Sequence, residues 1–257
     1  VIPIWEAPDE PLVYEYAALI AELGHVPDDR DRSPALEARL LDSLNRHSFW
    51  IHRTGSQPQP PPQTIAEAGP LFYMPRQVGG DPPLNFSLTA IPLRLTSAWP
   101  IEAQVRLLRL FNVLLLPTVV ACAYGAAREI DPEAPYLALA AAGFVALHPM
   151  FVVIGSAMNN DGLANLLGAA LTWQTLRCLR LGLSWRRVLL TAALLGLALL
   201  TKRTAAPFLI LVPALGWALL RRGWFRWRGW SRRRRLAVGA GALLLSSLVA
   251  GWGCLLY

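Results

Sequence analysis

Between Tyr136 and Tyr257 the chain carries one acidic side chain, Asp161. Lysine is nearly as scarce, with Lys202 the sole lysine among 24 basic residues. The three cysteines, Cys122, Cys178 and Cys254, lie far apart in apolar stretches and support neither a disulfide framework nor a zinc site. Of the four histidines, His25, His47, His52 and His148, none is grouped like a metal ligand, and His148 before Pro149 reads as an ordinary span residue. No P-loop, GxGxxG, HExxH or GxSxG motif is present, which counts against nucleotide-driven transport and soluble-type hydrolases. Charge as a whole is thin. Charged residues are 16% of the chain and apolar ones 54%, against about 25% charged in an ordinary soluble domain. That balance fits a bilayer.

The two halves differ in sign. Residues 1–102 hold 13 acids and 7 bases, whereas residues 103–257 hold 4 acids and 17 bases. In the first half, Leu12, Tyr16, Leu19, Ile20 and Leu23 recur at helical spacing between Pro11 and Gly24, which predicts an amphipathic surface helix. A second begins at Ser33-Pro34 with Leu36, Leu40, Leu41 and Leu44. Gln57 to Pro62 is a stiff proline-rich connector. Leu84 to Trp99, interrupted by Pro92 and Arg94, fits a helix lying in the membrane interface. Six apolar segments follow, at about 107–127, 136–155, 162–181, 188–201, 205–220 and 236–256. The expected fold is all-α: a polytopic transmembrane bundle of about six spans over 103–257, with a large helical extracytoplasmic loop over 1–102.

Sidedness follows from the arginines. The connections at 128–135, 177–187 and 221–235 hold 13 bases, and the opposite flanks hold 4, namely Arg106, Arg109, Lys202 and Arg203. Cytoplasmic connections are the basic ones, so the first set is assigned to the cytoplasm. The 1–102 loop, Asp161 and Lys202 then lie outside. These arginines orient spans rather than bind nucleic acid. The chain opens on Val1-Ile2-Pro3 and stops on Leu255-Leu256-Tyr257 as an apolar segment ends. It is expected to be a fragment lacking a first span and a C-terminal remainder.

Four constellations carry chemistry, each with a plainer alternative. Asp9 and Glu10, within Pro8-Asp9-Glu10-Pro11, are adjacent carboxylates that suit a general base; acids in the first turn of a helix are the plainer account. Asn160 and Asp161, within Asn159-Asn160-Asp161-Gly162, stand where two spans meet, where a carboxylate is costly unless it faces water, a partner or a substrate; an Asn or Asp of this run would equally cap the following helix. Lys202, in Leu200-Thr201-Lys202-Arg203-Thr204, is a point charge suited to a phosphate, or else an anchor reaching toward the headgroups. Arg106 and Arg109, about one turn apart, have the same two readings. Asp81, before Pro82-Pro83, is a fixed carboxylate at a turn, or only a turn residue.

Taken together, these pieces resemble the GT-C superfamily of multispan glycosyltransferases, in the branch of the protein O-mannosyltransferases and the arabinosyl transferase of lipid A. In that pattern an outer loop opens with an acidic pair, matched by Pro8-Asp9-Glu10. A His-Pro-Pro-Leu-like turn follows, matched by Asp81-Pro82-Pro83-Leu84, although Asp81 stands where the family usually has His. A polar Asn-Asp step is matched by Asn160-Asp161, and a Leu-x-Lys-x-Thr-like element by Leu200 to Thr204. The likeness covers nearly the whole chain in the same order.

The resemblance implies transfer of a sugar from a polyprenyl-phosphate carrier to an acceptor outside the cytoplasm, whether protein, lipid or glycan. Asp9 and Glu10 would be catalytic; Lys202, Arg106 and Arg109 would hold the donor phosphate; Asp81, Asn160 and Asp161 would be further site residues. No metal or other cofactor is required by this scheme, although the acids could bind a divalent cation. The expected location is a membrane, by analogy the bacterial plasma membrane. Two rivals come from other classes: a transporter or flippase coupling Asp161 to Lys202, and a structural subunit of a cell-envelope complex.

Overall fold

The computed structural model describes residues 2–7, 9–28, 30–69, 77–213 and 215–216. Among these residues there is no strand, and the chain is an all-α membrane protein. In order the helices are α1 Glu10–Leu23, α2 Pro34–Arg46, α3 Phe49–Thr54, α4 Ile65–Ala68, α5 Leu84–Leu95, α6 Ile101–Ile130, α7 Pro135–Leu147, α8 Pro149–Gly155, α9 Asp161–Leu181 and α10 Trp185–Leu199. Short 3-10 turns occupy Gln77–Gly80 and Arg203–Ile210. The sixth apolar segment and the 221–235 arginine cluster lie outside the described residues. The chain forms two compact units, one made of Val1–Leu114 with Val152–Gly162, the other of Leu115–Phe151 with Leu163–Tyr257.

In the first unit, local signals set the helix ends. Pro11 occupies the first turn of α1, and Gly24 closes it at φ 79°, a backbone region that suits glycine. Ser33 caps α2 by accepting from the Leu36 N–H at 3.3 Å, with Pro34 in the first turn. The surface position expected for α1 is corrected: every residue from Glu10 to Ile20 is buried. α5 and α2 pack on α1, with Tyr16 edge-on to Phe86 at 4.8 Å and Trp5 edge-on to Tyr14 at 5.6 Å. Polar groups on α1 can be buried because α6 supplies partners; the Tyr14 hydroxyl donates to Gln104 Oε1. This satisfies the requirement that a buried polar atom be paired.

In the second unit, the end of α6 and the end of α9 meet. Glu129 pairs with Arg180, and Arg177 stands 3.9 Å away. The 128–135 and 177–187 connections therefore sit at the same end, as the sidedness argument requires. Arg187 donates to the carbonyls of Leu181 and Gly182, closing the C-terminus of α9.

Among the described residues, α6 alone is long and apolar enough to cross a membrane, with a second crossing if α7 and α8 count as one broken span. The expected continuous span at 136–155 is broken at His148-Pro149, with a 58° bend. Proline lacks an N–H and its ring opposes a helical residue before it. His148 is thus a helix-end residue, its Nδ1 accepting from the Phe151 N–H at 3.3 Å. α10, at 15 residues, is shorter than a bilayer needs. The expected fifth span begins as a 3-10 turn containing Pro207.

A close approach inside the second unit yields a prediction. A Cβ on Gly125 would lie 2.5 Å from the Trp173 ring, whereas one on Gly143 would meet nothing within 4 Å. Gly125→Ala is therefore expected to cost about 1–3 kcal/mol through overpacking, and Gly143→Ala to be neutral or better. Thermal unfolding of the two variants in detergent checks this; equal midpoints would contradict the packing.

Candidate active site

Asp9 begins α1 in the left-handed region, at φ 60° and ψ 1°. Its carbonyl accepts from the N–H groups of Leu12 and Val13, while its exposed side chain makes no capping hydrogen bond. Aspartate, with asparagine, enters this region more readily than other residues besides glycine, and neighbouring contacts hold the turn in place. Those contacts come from the next residue.

Glu10 is fully buried. Its Oε1 accepts from Arg109 Nε at 2.8 Å and from the Met158 N–H at 3.2 Å. Its Oε2 accepts from Arg109 Nη2 at 2.7 Å and from the Trp5 N–H at 3.0 Å. The remaining reach of Arg109 goes to backbone carbonyls: Nη1 donates to Ile2 and Nη2 to Pro3. A carboxylate has about four acceptor sites and a guanidinium five N–H groups. Four on each side are used here. Glu10, expected as a second catalytic acid, and Arg109, expected as a phosphate ligand, therefore spend their bonding capacity on each other and on the backbone. They clamp the turn that presents Asp9.

The same helix face holds a second turn. Asn112, one turn after Arg109, donates to the carbonyls of Ala157 at 2.6 Å and Asn159 at 3.1 Å. Asn159 Oδ1 in turn accepts from the N–H groups of Asp161 and Gly162, at 2.9 and 3.2 Å. The capping expected of the Asn159-Asn160-Asp161 run is thus provided by the Asn159 side chain, and Asp161 is the first residue of the helix. Asn160 donates to Asp81 Oδ2 at 2.7 Å. Three constellations separated by up to about 150 residues in sequence, those of Asp9, Asp81 and Asn160, accordingly belong to the same compact unit.

Arg106 is exposed and has no ion-pair partner among the described residues. Lys202 belongs to the second unit, half-buried at the start of the Arg203–Ile210 turn. Among the described residues no three His, Cys, Asp or Glu side chains stand together as a metal site. Sequence reasoning did not find Asn112, nor that Arg109 would answer Glu10. The signal available was a polar pair, Arg109 and Asn112, on one face of a helix otherwise rich in leucine.

One family model matches residues 82–252, that of the dolichyl-phosphate-mannose-protein mannosyltransferases. The chain belongs to this family. It is a membrane glycosyltransferase of the GT-C type. The match takes in Asn160, Asp161 and Lys202 and begins after Asp81, so Asp9 and Glu10 stand outside it. No curated protein and no solved structure matches the chain.

Proposed function

We propose that this glycosyltransferase moves a sugar from a polyprenyl-phosphate carrier to a hydroxyl of an extracytoplasmic acceptor, with Asp9 as the general base. The observation that carries this is the placement of Asp9: an exposed carboxylate, in a left-handed turn, unused for capping and beside the Glu10–Arg109 clamp. In the step, the acceptor oxygen attacks the anomeric carbon while its proton passes to the Asp9 carboxylate. The bond from that carbon to the phosphate oxygen breaks, and the lipid phosphate leaves. Cations stabilise the leaving charge, a role we give to Arg106 and Lys202. Glu10 and Arg109 become positioning residues. The Asp81–Asn160 pair would hold the neighbouring turn in register. A divalent cation near Asp9 or Asp81 is compatible with this scheme but not required by it.

The experiment is a transfer assay on the full-length protein in liposomes, begun with mannose because of the family's description. Polyprenyl-phosphate mannose should serve as donor and a nucleotide-linked mannose should not; the reverse would overturn the donor assignment. Lys202→Ala is expected to raise the donor KM about tenfold or more with a smaller change in kcat, since a point charge on phosphate acts in the ground state as well as the transition state. An unchanged KM would remove Lys202 from the site. For sidedness, a cysteine placed at residue 230 should react with an impermeant reagent only after the membrane is opened. Labelling in intact cells would reverse the topology.

A further inference from the structure

A cleft of about 230 Å³ opens in the first unit between α1, α2, α5 and the start of α6. It shares no residue with the Asp9 turn or its clamp. Its floor is made shallowly apolar by Ala18, Ala21 and Leu93, and it ends on Tyr14 and Gln104. Both of those polar groups are buried and already bonded, Gln104 also donating to the Thr96 carbonyl at 2.7 Å. Burial pushes the Tyr14 phenol above its ordinary value, so the floor is neutral.

The rim is charged. Arg39 lies 3.3 Å from Glu22, and Arg94 has no ion-pair partner among the described residues. Two guanidinium groups and one carboxylate leave a net charge of +1 at the rim. A singly charged anion would neutralise it; a dianion would exceed it.

The flank of the cleft indicates which anion. Leu88, Ile91 and Leu95 lie on one outward face of α5, exposed by 37%, 58% and 82%. At 100° per residue Arg94 falls between this face and the buried one. Residues 96–100, including the exposed Trp99, then lead into α6, the helix long enough to cross a membrane. Such a short connection keeps α5 beside the end of that span. Three large apolar side chains left in water would each forgo transfer energy of about 25 cal/mol per Å².

We propose that this cleft binds the phosphodiester headgroup of an anionic membrane phospholipid, with Arg94 and Arg39 on the phosphate and the Leu88–Ile91–Leu95 face in the adjoining acyl region. The rest of residues 1–102 is net acidic, so it repels an anionic surface. Within residues 1–102 binding is therefore confined to the cleft, and one lipid is expected at this site.

The test places a fluorescent reporter in the cleft of the full chain. Ser97→Cys is labelled with an environment-sensitive dye in a background where Cys122, Cys178 and Cys254 are alanine. The protein, in neutral detergent, is titrated with phosphatidylglycerol, with diacylglycerol, or with inorganic phosphate. A saturable blue shift with phosphatidylglycerol is expected. Arg94→Ala should raise the half-saturating lipid about tenfold, and Arg94→Lys should recover part of that loss. Ile91→Asn should weaken lipid binding without creating a response to inorganic phosphate. An equal response to diacylglycerol, or a response untouched by Arg94→Ala, would overturn the phosphate contact. An equal response to inorganic phosphate would overturn the lipid. Circular dichroism on each variant separates a lost site from a lost fold, and Arg94→Lys serves as the judge if Arg94→Ala does not fold.

Discussion

Asp9→Asn is expected to lower kcat for sugar transfer by about 10²- to 10⁴-fold, the usual contribution of a positioned acid or base, while leaving the protein folded. The substitution removes a proton acceptor and almost no volume. It also suits the backbone, because asparagine occupies the left-handed region more readily than most residues. At φ 60° the variant should be as stable as the parent. Activity and the unfolding midpoint are thus expected to separate, which a merely structural Asp9 would not allow. Substrate binding gives a second reading, since loss of a base should leave donor KM nearly unchanged. An Asp9→Asn enzyme with full turnover would leave the proposed reaction without its base.

Arg109→Met is expected to produce the largest loss of stability. It strands the Glu10 carboxylate, which is fully buried and takes two hydrogen bonds from Arg109. Breaking one partner out of a buried pair costs about 3–5 kcal/mol, mostly because the other charge is left uncompensated. The paired replacement Glu10→Met with Arg109→Met should recover part of the loss. Recovery should be incomplete, because the N–H groups of Trp5 and Met158 and the carbonyls of Ile2 and Pro3 then lose their partners. Arg106→Ala, three residues away on an exposed side chain, should leave the unfolding midpoint unchanged and raise donor KM instead. Thermal unfolding in detergent decides the matter. An Arg109→Met protein as stable as the parent would mean that Glu10 is not held as described.

The loss of activity in these two variants should have different causes. In Asp9→Asn the turn is intact and the chemistry is gone. In Arg109→Met the base is present on a turn that no longer has its clamp, so turnover should recover in part when Glu10→Met is added. Measuring both kcat and the midpoint for all four proteins separates the roles.

Composition alone was enough to place this chain in a bilayer, because a stretch holding Asp161 as its one acid cannot form an ordinary soluble surface. Helix ends were also legible, since caps and breakers act over a few residues. Pro11 and Gly24 bound α1, and Ser33-Pro34 starts α2. The same locality made His148-Pro149 a break that apolarity concealed, because a count of apolar residues does not register a missing N–H. What periodicity could not supply was the partner on each side of a helix. α1 carries an apolar pattern that reads as one buried face, yet α6 also buries its polar groups by answering Tyr14 with Gln104 and Glu10 with Arg109. Those pairs span 90 and 99 positions in sequence. Their formation depends on the register in which two helices pack, which no single segment encodes. Residue types identified Asp9, Glu10 and Arg109 as chemically notable, but only tertiary contact could distinguish them: bonding capacity is finite, and Glu10 and Arg109 spend theirs inside the fold while Asp9 keeps its own at the surface.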